Sequence, residues 1–174
     1  STLFPYTTLF RSPYSAFAKD LGLTDTGAAW FISAMAVGAA AGKIFFTLLA
    51  QNLGSKKAFI ASLFFQLAGF QALVIASSET AQIAAVIAVG LGFGGIVPLV
   101  ASILADLYGR DRFAPVLGAI FPLFALFQAG GTPLAGYIYD RSGNYIAAFW
   151  VFIIAVAAGI LLASRIPARH PSPA

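Results

Sequence analysis

Between residues 27 and 164 the chain alternates long uncharged runs with short clusters of charged and turn-forming residues. The runs cover 27–50, 58–76, 81–105, 113–139 and 145–164, and Lys43 is the only charged residue inside any of them. A helix needs roughly 20 apolar residues to cross the hydrocarbon core of a bilayer, and each run is about that long or longer. None shows the two-residue alternation, over segments of roughly ten residues, that membrane strands require. The pattern therefore predicts an all-α, polytopic membrane helix bundle with five transmembrane helices. The connecting segments QNLGSKK, SSET, DLYGRDR and DRSGN are short, so successive helices are expected to run antiparallel.

Composition narrows the class further. The 174 residues are 60% hydrophobic and 9% charged, against roughly 25% charged in a soluble domain. Too few polar groups exist to cover a water-facing surface. There is no cysteine, hence no disulfide framework and no thiolate metal site. A net charge of +4 does not point to nucleic acid, because the basic residues stand singly at the ends of apolar runs, as membrane flanks do. Lys56, Lys57, Arg110, Arg112, Arg165 and Arg169 fall on one side, Lys19 and Arg141 on the other. Lysine and arginine excess marks the cytoplasm, which predicts a cytoplasmic C-terminus and an external 13–26 loop.

Chemistry has few places to reside. Lys43 stands seven residues before the end of its run, roughly 10 Å at 1.5 Å per residue. It either snorkels to the cytoplasmic interface or presents an ammonium to an anionic substrate, since intramembrane charges usually face a cavity or a partner. The third run, AVGLGFGGIVPLVAS, carries Gly90 and Gly94 on one face with Gly92 and Gly95 beside them. These glycines serve close helix packing, or a cavity-lining helix that bends near Pro98 during gating. Pro122 and Pro133 each remove a backbone donor from the fourth run. Gln128 lies between them as a candidate polar contact to substrate or to a neighbouring helix. Gln66, Gln71 and Gln82 allow the same two roles. His170 is in the tail, and Asp106, Asp111, Asp140 and Glu79 all sit at ends or loops. The paired carboxylates, metal triad or nucleophile–base pair of an enzyme are not formed, and no cofactor or metal site is expected.

The two ends read differently from the middle. Residues 2–12, TLFPYTTLFRS, match the translation of a sequencing adapter residue for residue, so residues 1–12 are expected to be non-native. The natural protein is then expected to extend upstream of Pro13. Five spans fit a six-helix unit that lacks its first helix, built from two three-helix repeats as in many transporters. Residues 168–174 are a Pro-rich basic tail.

From Pro13 to Pro167 the chain resembles the C-terminal half of a major facilitator superfamily transporter, most of all the oxalate/formate antiporter and monocarboxylate porter group. ADLYGRDRFAPVLG resembles that group's loop between helices ten and eleven. GTPLAGYIYDRSGNYIAAFW resembles the end of its helix eleven and the start of helix twelve, and GKIFFTLLAQNLGSKKA its helix eight–nine junction. The resemblance implies that the five runs are helices eight to twelve of a carrier in the bacterial plasma membrane. Its partners would be a small organic anion, the lipid bilayer and the N-terminal half of the same chain. Lys43 falls where the group carries a basic residue, usually arginine, that holds the substrate carboxylate. Lysine keeps the charge without arginine's bidentate fork. Thr47 and Gln51 stand where the junction motif has glycine and an acidic residue, so the usual charge network there is in question. The fourth run lacks the lysine of oxalate-type members, which implies a monocarboxylate rather than a dicarboxylate. A drug or sugar porter of the same superfamily, or a small membrane scaffold subunit, are the alternative readings.

Overall fold

The computed structural model describes residues 25–143 and 146–166. They form five helices, each long and apolar enough to cross a membrane: α1 (Asp25–Leu53), α2 (Ser55–Ile75), α3 (Glu79–Gly109), α4 (Arg112–Ser142) and α5 (Ile146–Arg165). No strand occurs among the described residues. The expected adapter-derived segment and the basic tail, 168–174, lie outside the described residues.

The connections are tighter than the charged clusters imply. QNLGSKK is helical except at Gly54, whose φ of 85° ends α1, while its N–H still donates to Ala50 O at 2.9 Å. Helix α3 gives way to α4 at Gly109, with φ 72° and ψ 174°. Left-handed φ at both turns is open to glycine without a Cβ penalty. Helices persist through the polar flanks because backbone hydrogen bonds, and not side-chain polarity, decide where they stop. Ser78 caps α3 by accepting from the Ala81 N–H at 3.3 Å, which satisfies one of the orphan donors of the first turn.

Helix α3 is the most buried span and α4 the least. α1 and α3 cross with their backbones in contact. A Cβ at Gly42 would lie 2.1 Å from the Leu91 carbonyl oxygen, and one at Gly94 would lie 2.0 Å from that of Ala39. Gly38 meets Ile87, and Gly90 meets Met35, in the same way. Both helices thus supply a Gly-x-x-x-Gly face, Gly38/Gly42 and Gly90/Gly94, of the kind that lets membrane helices approach closely. On its other side α3 meets α2, with Gly92 against Ser62 and Gln66, and Gly69 of α2 against Val89. Two apolar clusters fill the crossings: Phe31, Leu73, Ala85, Val86 and Val89 in one half, and Phe46, Ala58 and Leu99 in the other. Phe70 of α2 stacks with Phe152 of α5 at a centroid distance of 5.9 Å and meets Phe149 with tilted rings at 6.0 Å.

The end of the bundle that carries Lys56 and Asp106 is tied by polar contacts. The Ser55 hydroxyl donates to Asp106 Oδ2 at 2.7 Å. Having one hydrogen to give, it accepts from Ser102 Oγ, also 2.7 Å away. Lys56 Nζ donates to Ser164 O at 2.9 Å and to Ile166 O, where a cation suits the negative end of α5. Two consecutive residues at the start of α2 therefore hold α3 and α5.

Candidate functional site

Helix α1 has three distinct faces, set by the recurrence of residues at steps of three and four. Phe31, Met35, Gly38, Gly42 and Phe46 form the packed face; Phe31 and Phe46 are fully buried. Phe46 lies against Gly95 and makes edge contacts with Phe45 and Phe65, at 5.0 and 5.7 Å. This packing fixes the rotation of α1 about its own axis. A second face is open and apolar, with Trp30, Val37, Ile44 and Leu48 each more than half exposed.

The third face carries Ala29, Ser33, Ala36, Ala40, Lys43, Thr47 and Gln51, and every one of them is exposed. All polar residues between Ala29 and Leu53 except Asn52 lie on it. Lipid contact suits the second face and is costly for the third, because a cation at mid-membrane is penalised by about 2.5–3.5 kcal/mol on insertion scales. The third face is the one built for water, substrate or protein.

Lys43 stands ten residues before Leu53, the last residue of α1, or roughly 15 Å along the axis. That is deeper than the uncharged run alone indicates, because α1 continues through Gln51, Asn52 and Leu53. The Cα–Cβ bond in a helix tilts toward the N-terminus, so the Lys43 stem starts away from the Leu53 end. Among the described residues its ammonium has no hydrogen-bonded or ionic partner. The hydroxyls on the same face are already used: Thr47 Oγ1 donates to Lys43 O at 2.6 Å and Ser33 Oγ to Ala29 O at 2.9 Å. With their one hydrogen spent inside their own helix, these hydroxyls can still accept but not donate, and the ammonium is the free donor at the middle of the face.

The other sequence-predicted positions are spread apart. Gly90 and Gly94 are buried against α1, behind the Lys43 face. Pro98 lies inside α3, which continues through it; Pro122 and Pro133 lie inside α4. The non-helical backbone dihedrals between Glu79 and Ser142 are at Gly109 and not at a proline. Gln128 is in α4, with its side chain outside the described set. Gln66 and Gln82 are buried and Gln71 exposed, and Gln82 Oε1 has no hydrogen-bond partner among the described residues. Among the described residues no group of three or more His, Cys, Asp or Glu could hold a metal ion. Of the neighbours of Lys43 on its own face, Ala36 and Ala40 were not singled out by sequence reasoning and Thr47 only as a departure from the junction motif, although their spacing at i−7, i−3 and i+4 was available to it.

The comparisons with known proteins bear on the same span. A family model described as Major Facilitator Superfamily matches residues 4–174. Monocarboxylate transporter 13 of Rattus norvegicus is 28% identical over 152 residues, which is 84% of this chain and 35% of that protein. Monocarboxylate transporter 2 of Rattus norvegicus is 30% identical over 141 residues, 79% of this chain and 28% of that protein. Multidrug resistance protein 3 of Bacillus subtilis (strain 168) is 29% identical over 154 residues, 88% of this chain and 29% of that protein. The chain thus spans about a third of the length of the curated relatives it matches. A family match over almost the whole chain, on a bundle of five membrane-length helices, means that this protein belongs to the major facilitator superfamily and is related to the monocarboxylate transporters.

Proposed function

We propose that this chain is part of a secondary transporter that moves a small organic anion, a monocarboxylate, across a membrane by alternating access. The observation that carries the reading is the free ammonium of Lys43, at mid-span on the small, polar, exposed face of α1. In a water-filled cavity between two helical halves, that ammonium pairs with the substrate carboxylate, and Gln128 of α4 offers a hydrogen bond to it. The glycine crossing at Gly90 and Gly94 keeps α1 and α3 moving together, while Pro98, Pro122 and Pro133 are points where α3 and α4 can bend. The remaining helices of the carrier supply the opposite wall of the cavity. The basic residues Lys56, Lys57, Arg112 and Arg165 mark the cytoplasmic side of a bacterial plasma membrane, with the C-terminus inside.

Competition tests this directly. The full-length carrier is reconstituted in proteoliposomes and uptake of a labelled monocarboxylate is measured against unlabelled acids, their amides and their methyl esters. Acids are expected to compete and the neutral analogues to fail, because the ammonium pairs with the carboxylate charge that amides and methyl esters lack. The kinship to a multidrug resistance protein supports a second reading, a porter of drug-like molecules. Equal competition by neutral analogues would favour that reading over the carboxylate carrier.

A further inference from the structure

We propose that Gln82 binds an ordered water molecule that ties the start of α3 to the last turn of α2. The buried polar residues among those described are Ser55, Ser62, Gln66 and Gln82. Three of them stand on the α2–α3 seam by direct contact: Ser55 reaches Ser102 and Asp106, and Ser62 and Gln66 meet Gly92. Gln82 differs in its bonding. It is 6% exposed, and its Oε1 is buried with no hydrogen-bond partner among the described residues. An acceptor left unmet in an interior carries the full cost of its desolvation, and buried polar groups are as a rule met by protein or by ordered water.

The seam shows what lies opposite. Going back along α3, Gly92 meets Ser62 and Gln66, Val89 and Ala85 meet Gly69, and Ala85 shares a cluster with Leu73. The two helices therefore run antiparallel, and one further step of three residues brings Gln82 to the last turn of α2. A helical side chain leans toward the start of its own helix, which here is the end of α2. The last four carbonyls of a helix have no partner inside it. At the end of α2 the Ala76 N–H donates to Ala72 O at 2.9 Å and Ser77 Oγ to Ile75 O at 3.5 Å. Leu73 O and Val74 O receive no hydrogen bond among the described residues. This end of the seam thus holds acceptors and lacks a donor. Water has two hydrogens to give, one for Gln82 Oε1 and one for a carbonyl of α2. Gln82 stands three residues after Glu79, where α3 begins, or about 4.5 Å along the axis, so the membrane–water interface can supply it. The link is the counterpart, at this end of the seam, of the Ser55–Asp106 tie at the other.

The sign of a stability change tests this. Gln82→Leu and Gln82→Met nearly keep the size of the side chain and remove the acceptor, and the thermal midpoint of the full-length carrier in detergent is read for each. A water-bridged Gln82 predicts that both variants lower the midpoint, by about 1–3 °C. An oxygen that is merely buried and unmet predicts a rise, because an apolar group of the same shape removes its desolvation cost. A raised or unchanged midpoint in either variant would overturn the proposal. A structure of the unaltered carrier, at a resolution that shows ordered water, covers the case in which neither variant folds. Water within about 3.2 Å of both Gln82 Oε1 and Leu73 O or Val74 O is expected. A donor side chain from the remaining helices in that place, or no water there, would overturn it as well.

Discussion

Replacing Lys43 with alanine is expected to lower carboxylate uptake by at least about thirtyfold. Removing one partner of a desolvated charge pair typically costs 2–5 kcal/mol, and thirtyfold corresponds to the lower end. Lys43→Arg is expected to keep measurable uptake, because it retains the positive charge. The competing account of Lys43 is snorkelling, with the ammonium at the lipid–water interface and no contact to substrate. Three observations weigh against it. Lys43 lies roughly 15 Å from the end of α1, its Cβ tilts away from that end, and it shares its face with Ser33, Thr47 and Gln51 instead of with Val37, Ile44 and Leu48. Under the snorkelling account Lys43→Ala removes a mid-membrane charge and leaves uptake intact. Initial rates in proteoliposomes, normalised to the amount of inserted protein, separate the two.

The second large effect is expected at the α1–α3 crossing. Gly94→Leu should destabilise the bundle by about 3 kcal/mol or more, above the 1–3 kcal/mol typical of overpacking. The atom in the way is a backbone oxygen, 2.0 Å from where the Cβ must go, and a backbone cannot change rotamer to make room. The helices would have to separate, and the Gly38/Gly42 contact with Ile87 and Leu91 would separate with them. Gly118→Leu in α4 is the matched comparison, since a Cβ there meets nothing within 4 Å. Thermal unfolding in detergent, followed by circular dichroism, should show a large drop in midpoint for Gly94→Leu and little change for Gly118→Leu. Equal midpoints would mean that the crossing does not hold the bundle.

The five helices were legible in the sequence because a membrane imposes a length and a polarity that any apolar run must meet. Their ends were not. Gln51–Leu53 and Ser55–Lys57 read as a charged loop, yet they complete the helices on either side of Gly54. The glycines show the same division. Spacing put Gly90 and Gly94 on one face, but the α1 backbone they meet at Met35 and Ala39 became apparent only from the crossing, because periodicity describes a helix's own faces and not which helix meets them. Lys43 stood out as a lone charge, whereas its depth depended on where α1 stops. The tie between Ser55, Ser102 and Asp106 joins residues 47 and 51 positions apart in the chain, a pairing that no local pattern encodes. Gln128 could be placed on the fourth span from the sequence, and the structure has it on α4.

The account turns on the third face of α1 being wet and in contact with substrate. The chain contains no cysteine, so single cysteines can be placed in this segment of the carrier at Ala36, Ala40 and Thr47, with Lys43 kept in place, and at Val37, Ile44 and Leu48 on the adjoining face. Each variant is treated in membranes with a charged, membrane-impermeant thiol reagent, with and without a competing monocarboxylate. Labelling at 36, 40 and 47 that monocarboxylate slows, with none at 37, 44 and 48, is the predicted result. Labelling absent from 36, 40 and 47, or present there and unaffected by the acid, would contradict it.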